Sequence, residues 1–210
     1  MVIRGEGPSF SAGLDRRAFT PGGIPGEPGL VELAGLDPAA LDEQIAAYQE
    51  GFTCWSGDGL ISVAAVRGHA IGAGFQLVLA CDLAIAADDA QFAMREPALG
   101  LVPDLGGTLP LVRAVGYPRA LEICASGRFV EAREAAELGL VLAVVPVADL
   151  ATAVDRLVAG IMAAPSGAVL ATKALLRDAP GRAPADQLAA ERAAQALRLR
   201  TLAEGTHHVP

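Results

Sequence analysis

Apolar residues come in short runs early in the chain and in long helical stretches late. Val2-Ile3 is a brief apolar pair that empties into a Gly/Ser/Pro segment, Gly5 to Gly13, and reads as a short strand running into a loop. Leu60–Val66 (LISVAAV) is apolar nearly throughout and rich in β-branched residues, which predicts a buried strand. Leu83–Ala86 and Gln91–Met94 predict two more strands, with Phe75–Ala80 a short helix before them. Asp37-Pro38 is a helix start, with Asp as N-cap and Pro in the first turn of a helix from Ala39 to about Phe52. Further on, Thr108 is placed to cap one helix, Pro118 to open a second, and Glu131 to open a third that Gly139 ends. A last apolar strand is expected at Val141–Val145, then helices over Val147–Met162, Ser166–Arg177 and Pro184–Leu202. Between Thr20 and Gly29, TPGGIPGEPG holds too much Pro and Gly for regular structure and reads as a mobile surface loop. The order, strands with intervening helices first and helices last, predicts an α/β domain over 1–146 and a helical region over 147–210.

Composition narrows the partners. Hydrophobic residues make up 52% and charged ones 19%, so the chain has the means to build a core. Lys+Arg 16 against Asp+Glu 24 leaves a net charge of −8, and Lys173 is the only lysine. Nothing here makes the cationic footprint that nucleic acid or an anionic membrane requires, so neither is expected as a partner. Cys54, Cys81 and Cys124 are odd in number and far apart, which fits neither a disulfide framework nor a zinc site and points to a reducing cytoplasm. The opening MVIRGEGPSF has no apolar leader, and the longest apolar stretch, Leu138–Ala148, is broken by Pro146 and falls short of the ~20 residues a bilayer needs.

Candidate chemistry gathers at glycines and at two acids. Gly68-His-Ala-Ile-Gly-Ala-Gly74 joins a predicted strand to a predicted helix. Its glycines keep side chains away, and the helix end offers free N–H groups to a phosphate, a carboxylate or a developing oxyanion. A tight strand-to-helix turn with no ligand explains the same seven residues equally well, and the G-x-G-x-x-G order of a dinucleotide site is absent. Phe10-Ser-Ala-Gly-Leu-Asp15 is a second loop of this kind, and two such loops can each offer one N–H to a single oxygen. Glu96 in MREPALG and Asp104 in LVPDLGG lie eight residues apart beside Pro97 and Pro103. A rigid apolar loop suits general acid–base work, although a loop acid is more often simply solvated. His69 reads as a structural hydrogen bonder, His207 and His208 as a solvated tail, Cys81 as a small core residue and Asp82 as a capping or pairing group. No Ser-His-Asp order and no metal-ligand spacing is present.

Taken together, Phe10–Asp15, Gly68–Gly74, Cys81-Asp82, Ala90-Gln-Phe92, Leu99-Gly-Leu-Val-Pro-Asp-Leu-Gly-Gly-Thr108 and Ala135-Ala-Glu-Leu-Gly-Leu-Val141 resemble the crotonase superfamily, the enoyl-CoA hydratase/isomerase fold. The resemblance runs in order from Val2 to about Ala174. It implies an α/β spiral of ββα units whose C-terminal helices build homotrimers, often paired into homohexamers. It also implies acyl-CoA as substrate, with coenzyme A part of that substrate and no separate cofactor or metal. The implied chemistry is stabilisation of a thioester enolate in fatty-acid or related acyl-CoA metabolism. By the family's pattern the two backbone N–H donors fall on Leu14 and Ala73. Ser11, Ala12, Gly13 and Asp15 in the first loop, with Ile71, Gly72 and Gln76 in the second, fall where substrate binds. The loop Thr20–Gly29 is expected to cover the acyl pocket.

The acids carry over one at a time. Hydratases of the family (lyases) have a glutamate where this chain has Gln76, and a carboxamide takes no proton at neutral pH. The family's second glutamate falls on Glu96. Asp104 matches an aspartate used by isomerase branches, so Glu96 and Asp104 resemble two of the three acids of dienoyl-CoA isomerases. Moving a double bond needs one carboxylate or a pair to lift a proton and return it, whereas adding water needs two groups to hold and split the water. The expectation is therefore an enoyl-CoA isomerase; the alternatives are a hydratase, another crotonase reaction such as thioester hydrolysis or decarboxylation, and a non-catalytic acyl-CoA-binding homologue. Two departures belong with it. The family's first two strands and helix, with an Arg-Pro and Asn-Ala-Leu signature, have no counterpart before Val2, and the C-terminal Lys-Arg ending is missing. The expected result is a sheet with an exposed edge and a less enclosed CoA cleft.

Overall fold

The computed structural model describes residues 1–20 and 23–206. Its strands are β1 (Val2–Arg4), β2 (Val63–Val66), β3 (His69–Ile71), β4 (Leu83–Ala87), β5 (Gln91–Ala93), β6 (Val130–Glu131) and β7 (Ala143–Val145). Its α-helices are α1 (Leu30–Ala34), α2 (Pro38–Thr53), α3 (Ala73–Ala80), α4 (Thr108–Val115), α5 (Tyr117–Ser126), α6 (Ala132–Glu137), α7 (Leu150–Met162), α8 (Ser166–Asp178) and α9 (Pro184–Thr206). Among the described residues the strands form two sheets, β1-β2-β4-β7, all parallel, and β3-β5-β6, in which only β6 runs antiparallel.

The two sheets are fed alternately. β2 enters the first sheet, the chain turns at Arg67-Gly68, and β3 enters the second before α3 begins; β4, Asp88–Ala90 and β5 repeat the move. The two corners are tied together, because Gly68 N–H donates to Asp89 Oδ1 at 3.1 Å and Gln91 N–H to the Gly68 carbonyl at 2.8 Å. Gly68 has φ +54°, and a Cβ there would stand 2.5 Å from the Pro8 carbonyl oxygen, so the corner tolerates only glycine. This is the expected spiral of strand–strand–helix units.

Parallel strands covered on both faces are apolar nearly throughout. Ala64, Val66, Ala84 and Ala86 are accordingly buried, and Phe75, Phe92, Met94, Leu111 and Ile123 fill the space above them. The rings of Phe75 and Phe92 pack tilted at 53° with centroids 5.4 Å apart, which anchors α3 on the second sheet. β1 pairs on one side only among the described residues.

Several element boundaries differ from expectation for identifiable reasons. The strand expected from Leu60 is paired only from Val63, because Ser62 N–H donates to the Asp82 carboxylate at 2.8 Å. The helix expected from Phe75 starts two residues earlier, since Gly72 at φ +55° makes the turn itself. Thr108 is the first helical residue rather than the cap; Gly107 holds the cap position without a side-chain bond. The last strand pairs only over Ala143–Val145, Leu140 and Val141 being buried in the core instead. Val147–Asp149 is a turn of 3-10 helix before α7, and α9 runs on past Leu202 to Thr206. Of the loop Thr20–Gly29, Pro21 and Gly22 lie outside the described residues, as do His207 and His208.

The chain divides into two compact units, Met1–Gly57 with Ile61–Val154, and Asp58–Leu60 with the chain from Asp155 onward. The first holds both sheets. Within the second, Lys173 Nζ donates to the Leu60 carbonyl at 2.8 Å, Arg177 pairs with Asp58, and Arg182 reaches Asp178 at 2.9 Å.

Candidate active site

Two glycine loops meet backbone to backbone at the end of the second sheet. The first runs alongside β3: Ser11 N–H donates to the His69 carbonyl and Ile71 N–H to the Ser11 carbonyl, both at 2.9 Å. Contact this close leaves no room for side chains. A Cβ at Gly13, where φ is +89°, would stand 2.6 Å from the Ile71 carbonyl oxygen and 3.8 Å from Ala73 N. One at Gly74 would stand 2.6 Å from the Ser11 carbonyl oxygen. The next N–H after Gly13 is that of Leu14, and Ala73 is the first residue of α3; neither N–H has an acceptor among the described residues. The two proposed oxyanion donors are thus unbonded groups on loops that touch, and one of them lies at the positive end of a helix.

Glu96 stands against this junction. It opens the 3-10 turn Glu96–Leu99 after β5, a turn secured by Leu101 N–H to the Glu96 carbonyl at 3.0 Å. Next to it, Arg95 Nη1 donates to the Gly127 carbonyl at 2.8 Å. A Cβ at Gly72 would stand 3.3 Å from Glu96 Oε1, 3.5 Å from Cδ and 3.6 Å from Oε2, so the carboxyl group lies over the bare Cα of Gly72. Gln76 Nε2 donates to Oε1 at 2.7 Å, whereas Oε2 is buried and has no hydrogen-bond partner among the described residues. A buried carboxylate oxygen without a donor is costly to maintain. Burial first, and then the Glu96 charge, push the half-buried Cys124 thiol up.

Gln76 connects both acid loops. Its side chain is fully buried, and its Oε1 accepts from Leu105 N–H at 2.8 Å and, more weakly, from Gly107 N–H at 3.4 Å. Gly107 must be glycine for this approach, since a Cβ there would stand 2.8 Å from Gln76 Cγ. Asp104 adjoins Leu105. Its carbonyl accepts from Gln49 Nε2 of α2 at 2.6 Å, and its half-buried carboxylate makes no hydrogen bond among the described residues. Glu96 and the backbone of the loop that carries Asp104 are therefore brought to opposite ends of one amide.

Ser11 Oγ accepts from Gly13 N–H at 3.3 Å, Ala12 is exposed, and Ile71 is half-buried in β3. Asp15 caps the 3-10 turn Arg16–Phe19, accepting from Arg17 N–H at 2.9 Å and pairing with its guanidinium at 2.7 Å, which holds the Asp15 carboxyl low. His69 has Ser9 Oγ at 3.3 Å from Nδ1 and packs on Phe129. Burial pushes the Cys81 thiol up to about 11, and Asp82 holds Ser62 by its N–H at 2.8 Å and its hydroxyl at 3.1 Å. Gln49 and Cys124 escaped sequence reasoning: their partners lie far along the chain, and no local pattern marks them.

Known proteins carry the same arrangement of chain. Residues 30–205 match the family model for enoyl-CoA hydratase/isomerase. A probable enoyl-CoA hydratase of Mycobacterium tuberculosis, EchA17, is 40% identical over 192 residues, covering 91% of this chain and 68% of that protein. Another from the same species, echA8, is 35% identical over 155 residues, covering 72% of this chain and 53% of that protein. The chain thus spans little more than half the length of some of its curated relatives. A candidate enoyl-CoA hydratase from Thermobifida fusca YX, solved in complex with CoA, is 52% identical with a TM-score of 0.91, over 97% of this chain and 77% of that one. The same protein has been solved with acetoacetyl-CoA.

Proposed function

Because the chain belongs to the enoyl-CoA hydratase/isomerase family, we propose that it binds an acyl-CoA thioester and shifts a double bond through an enolate. The observation that carries this reading is Glu96: one oxygen is tied to Gln76, and the other is buried over Gly72 without a donor among the described residues. The relatives are named hydratases, but the glutamate that hydratases carry is Gln76 here, so a second acid to split water is wanting at that position. In a β,γ-unsaturated thioester, Glu96 takes a proton from the α-carbon, and the C–H electrons flow into the carbonyl to give a dienolate. The N–H groups of Leu14 and Ala73 hold the negative oxygen, each worth about 3 kcal/mol in the transition state. Returning a proton to the γ-carbon leaves the α,β-isomer; Glu96, Asp104 or both deliver it. Ser11, Gly13 and Ile71 support the reading as the backbone floor of the oxygen site, which no side chain obstructs.

The chain further acts as a homotrimer or homohexamer in this proposal, through its C-terminal helices. In support, Leu188, Leu197, Leu199 and Leu202 of α9 are each more than half exposed.

Deuterium uptake at the α-carbon of a short and a long acyl-CoA in heavy water, with isomer and hydration assays alongside, tests the reaction. Glu96→Gln should abolish uptake and Asp104→Asn should slow isomerisation. A Glu96→Gln, Asp104→Asn double variant that isomerises as fast as wild type would overturn the reading. Tight binding with neither uptake nor isomerisation would make the chain a binding protein instead.

A further inference from the structure

We infer that Gln76 is a positioning residue that makes Glu96 a base with one working oxygen and locks it to the loop bearing Asp104. The inference rests on the proposed enolate chemistry but goes beyond it, because the Gln76 side chain is fully buried and bonds to Glu96, Leu105 and Gly107. A carboxylate alone has two equivalent oxygens and can turn about its last torsion. Here the amide N–H occupies Oε1 at 2.7 Å, and the amide oxygen is itself held by Leu105 N–H at 2.8 Å. The amide cannot turn over without facing its N–H groups towards the Leu105 N–H and its oxygen towards a carboxylate. Its orientation is therefore set by the backbone of the Asp104 loop, and that loop is in turn pinned by Gln49 at 2.6 Å. Gly107 leaves the space for this seat.

The consequence is chemical. Oε2 is buried, so a proton taken on it should exchange with water more slowly than it passes to the bound thioester. The proton lifted from the α-carbon should return to the γ-carbon of the same molecule. Beside Glu96, the half-buried Cys124 thiol is pushed up by burial first and then by the Glu96 charge.

The test uses a β,γ-unsaturated hexenoyl-CoA carrying deuterium at the α-carbon, turned over in ordinary water, with product label read by mass spectrometry. Wild type should keep most of the transferred label, above roughly half. Gln76→Met fills the space without the hydrogen bond: label retention should collapse, and kcat should fall about tenfold to a hundredfold with KM changed less than about threefold. Gln76→Glu keeps an acceptor for Leu105 N–H, and while one proton is shared with Glu96 it replaces the amide N–H. Its label retention and activity should match wild type while the proton is shared, then fall relative to wild type as pH rises and the shared proton leaves. If Gln76→Met does not fold, the pH profile of Gln76→Glu decides alone. Active wild type with Gln76 variants unchanged in label retention and pH profile overturns this inference only; a wild type that neither exchanges nor isomerises overturns the proposed reaction as well.

Discussion

Replacing Gly72 by alanine separates backbone strain from chemistry, because both contributions can be read at this residue. Its φ of +55° and ψ of −120° belong to glycine, and forcing an L residue into such a conformation costs of order 1–3 kcal/mol. The new methyl would also stand 3.3 Å from Glu96 Oε1 and 3.6 Å from Oε2. The carboxyl group can retreat only by stretching its 2.7 Å bond from Gln76, a charge-assisted bond worth about 1.5–3 kcal/mol. Allowing for partial relaxation, Gly72→Ala should lose about 2–4 kcal/mol, or about 5–15 °C in Tm for a chain of this size. Activity should fall further than stability, since the methyl lies where the α-carbon must approach; α-deuterium uptake should drop by about 100-fold or more. Gly139→Ala is the control: φ is +79° there, but nothing lies within 4 Å of the added methyl. The assay pairs thermal unfolding by circular dichroism with deuterium uptake. A Gly72→Ala protein no less stable than Gly139→Ala, or one that exchanges at the wild-type rate, would refute the placement of Glu96 over Gly72.

Other consequences can be checked independently. Gly107 has ordinary helical-region backbone angles, so Gly107→Ala should act through contact alone; pushing on Gln76 Cγ at 2.8 Å should cost about 1–3 kcal/mol by urea denaturation and lower exchange with it. Arg128 bridges Glu122 at 2.7 Å and Glu134 at 2.6 Å, with both carboxylates over a third exposed, so Arg128→Met should cost less than about 1 kcal/mol at neutral pH. Arg128 holds both carboxyls below their ordinary 4.5, so this stability is present above 4.5 and is lost as pH falls through the lowered folded values. Wild type and variant should converge in acid, and a gap that stays constant with pH would contradict the pairing. At mildly alkaline pH an alkylating reagent should modify exposed Cys54 well before Cys81, whose buried thiol is pushed up to about 11; equal rates by mass spectrometry would show that Cys81 is not buried in solution.

What could be read in advance follows the range of the interaction. Asp37-Pro38 is a complete instruction over four residues, and Asp37 does cap α2, accepting from Ala39 N–H at 3.1 Å and Ala40 N–H at 3.2 Å. The apolar Val63–Val66 run announces a strand buried on both faces. Where it starts to pair is set by the Asp82 carboxylate, twenty residues later, which claims Ser62 N–H. The glycine loops were legible as places where backbone must be bare, and Gly13, Gly72 and Gly74 meet neighbouring groups that a side chain would strike.

By itself, then, the sequence determined the local events: which segments are apolar on both faces, where helices start, and where only glycine will do. These depend on φ and ψ and on neighbours within a turn, so residue type suffices. The working parts of the site were decided by tertiary structure. Glu96 was one loop acid among several until the fold buried one of its oxygens without a partner, and Gln76 looked like the loss of an acid until its amide was found joining Glu96 to Leu105. Those links span twenty and twenty-nine residues, and each depends on a donor and an acceptor meeting to within a few tenths of an ångström. Such meetings depend on how the two sheets stack, a property of the folded chain that no local pattern carries.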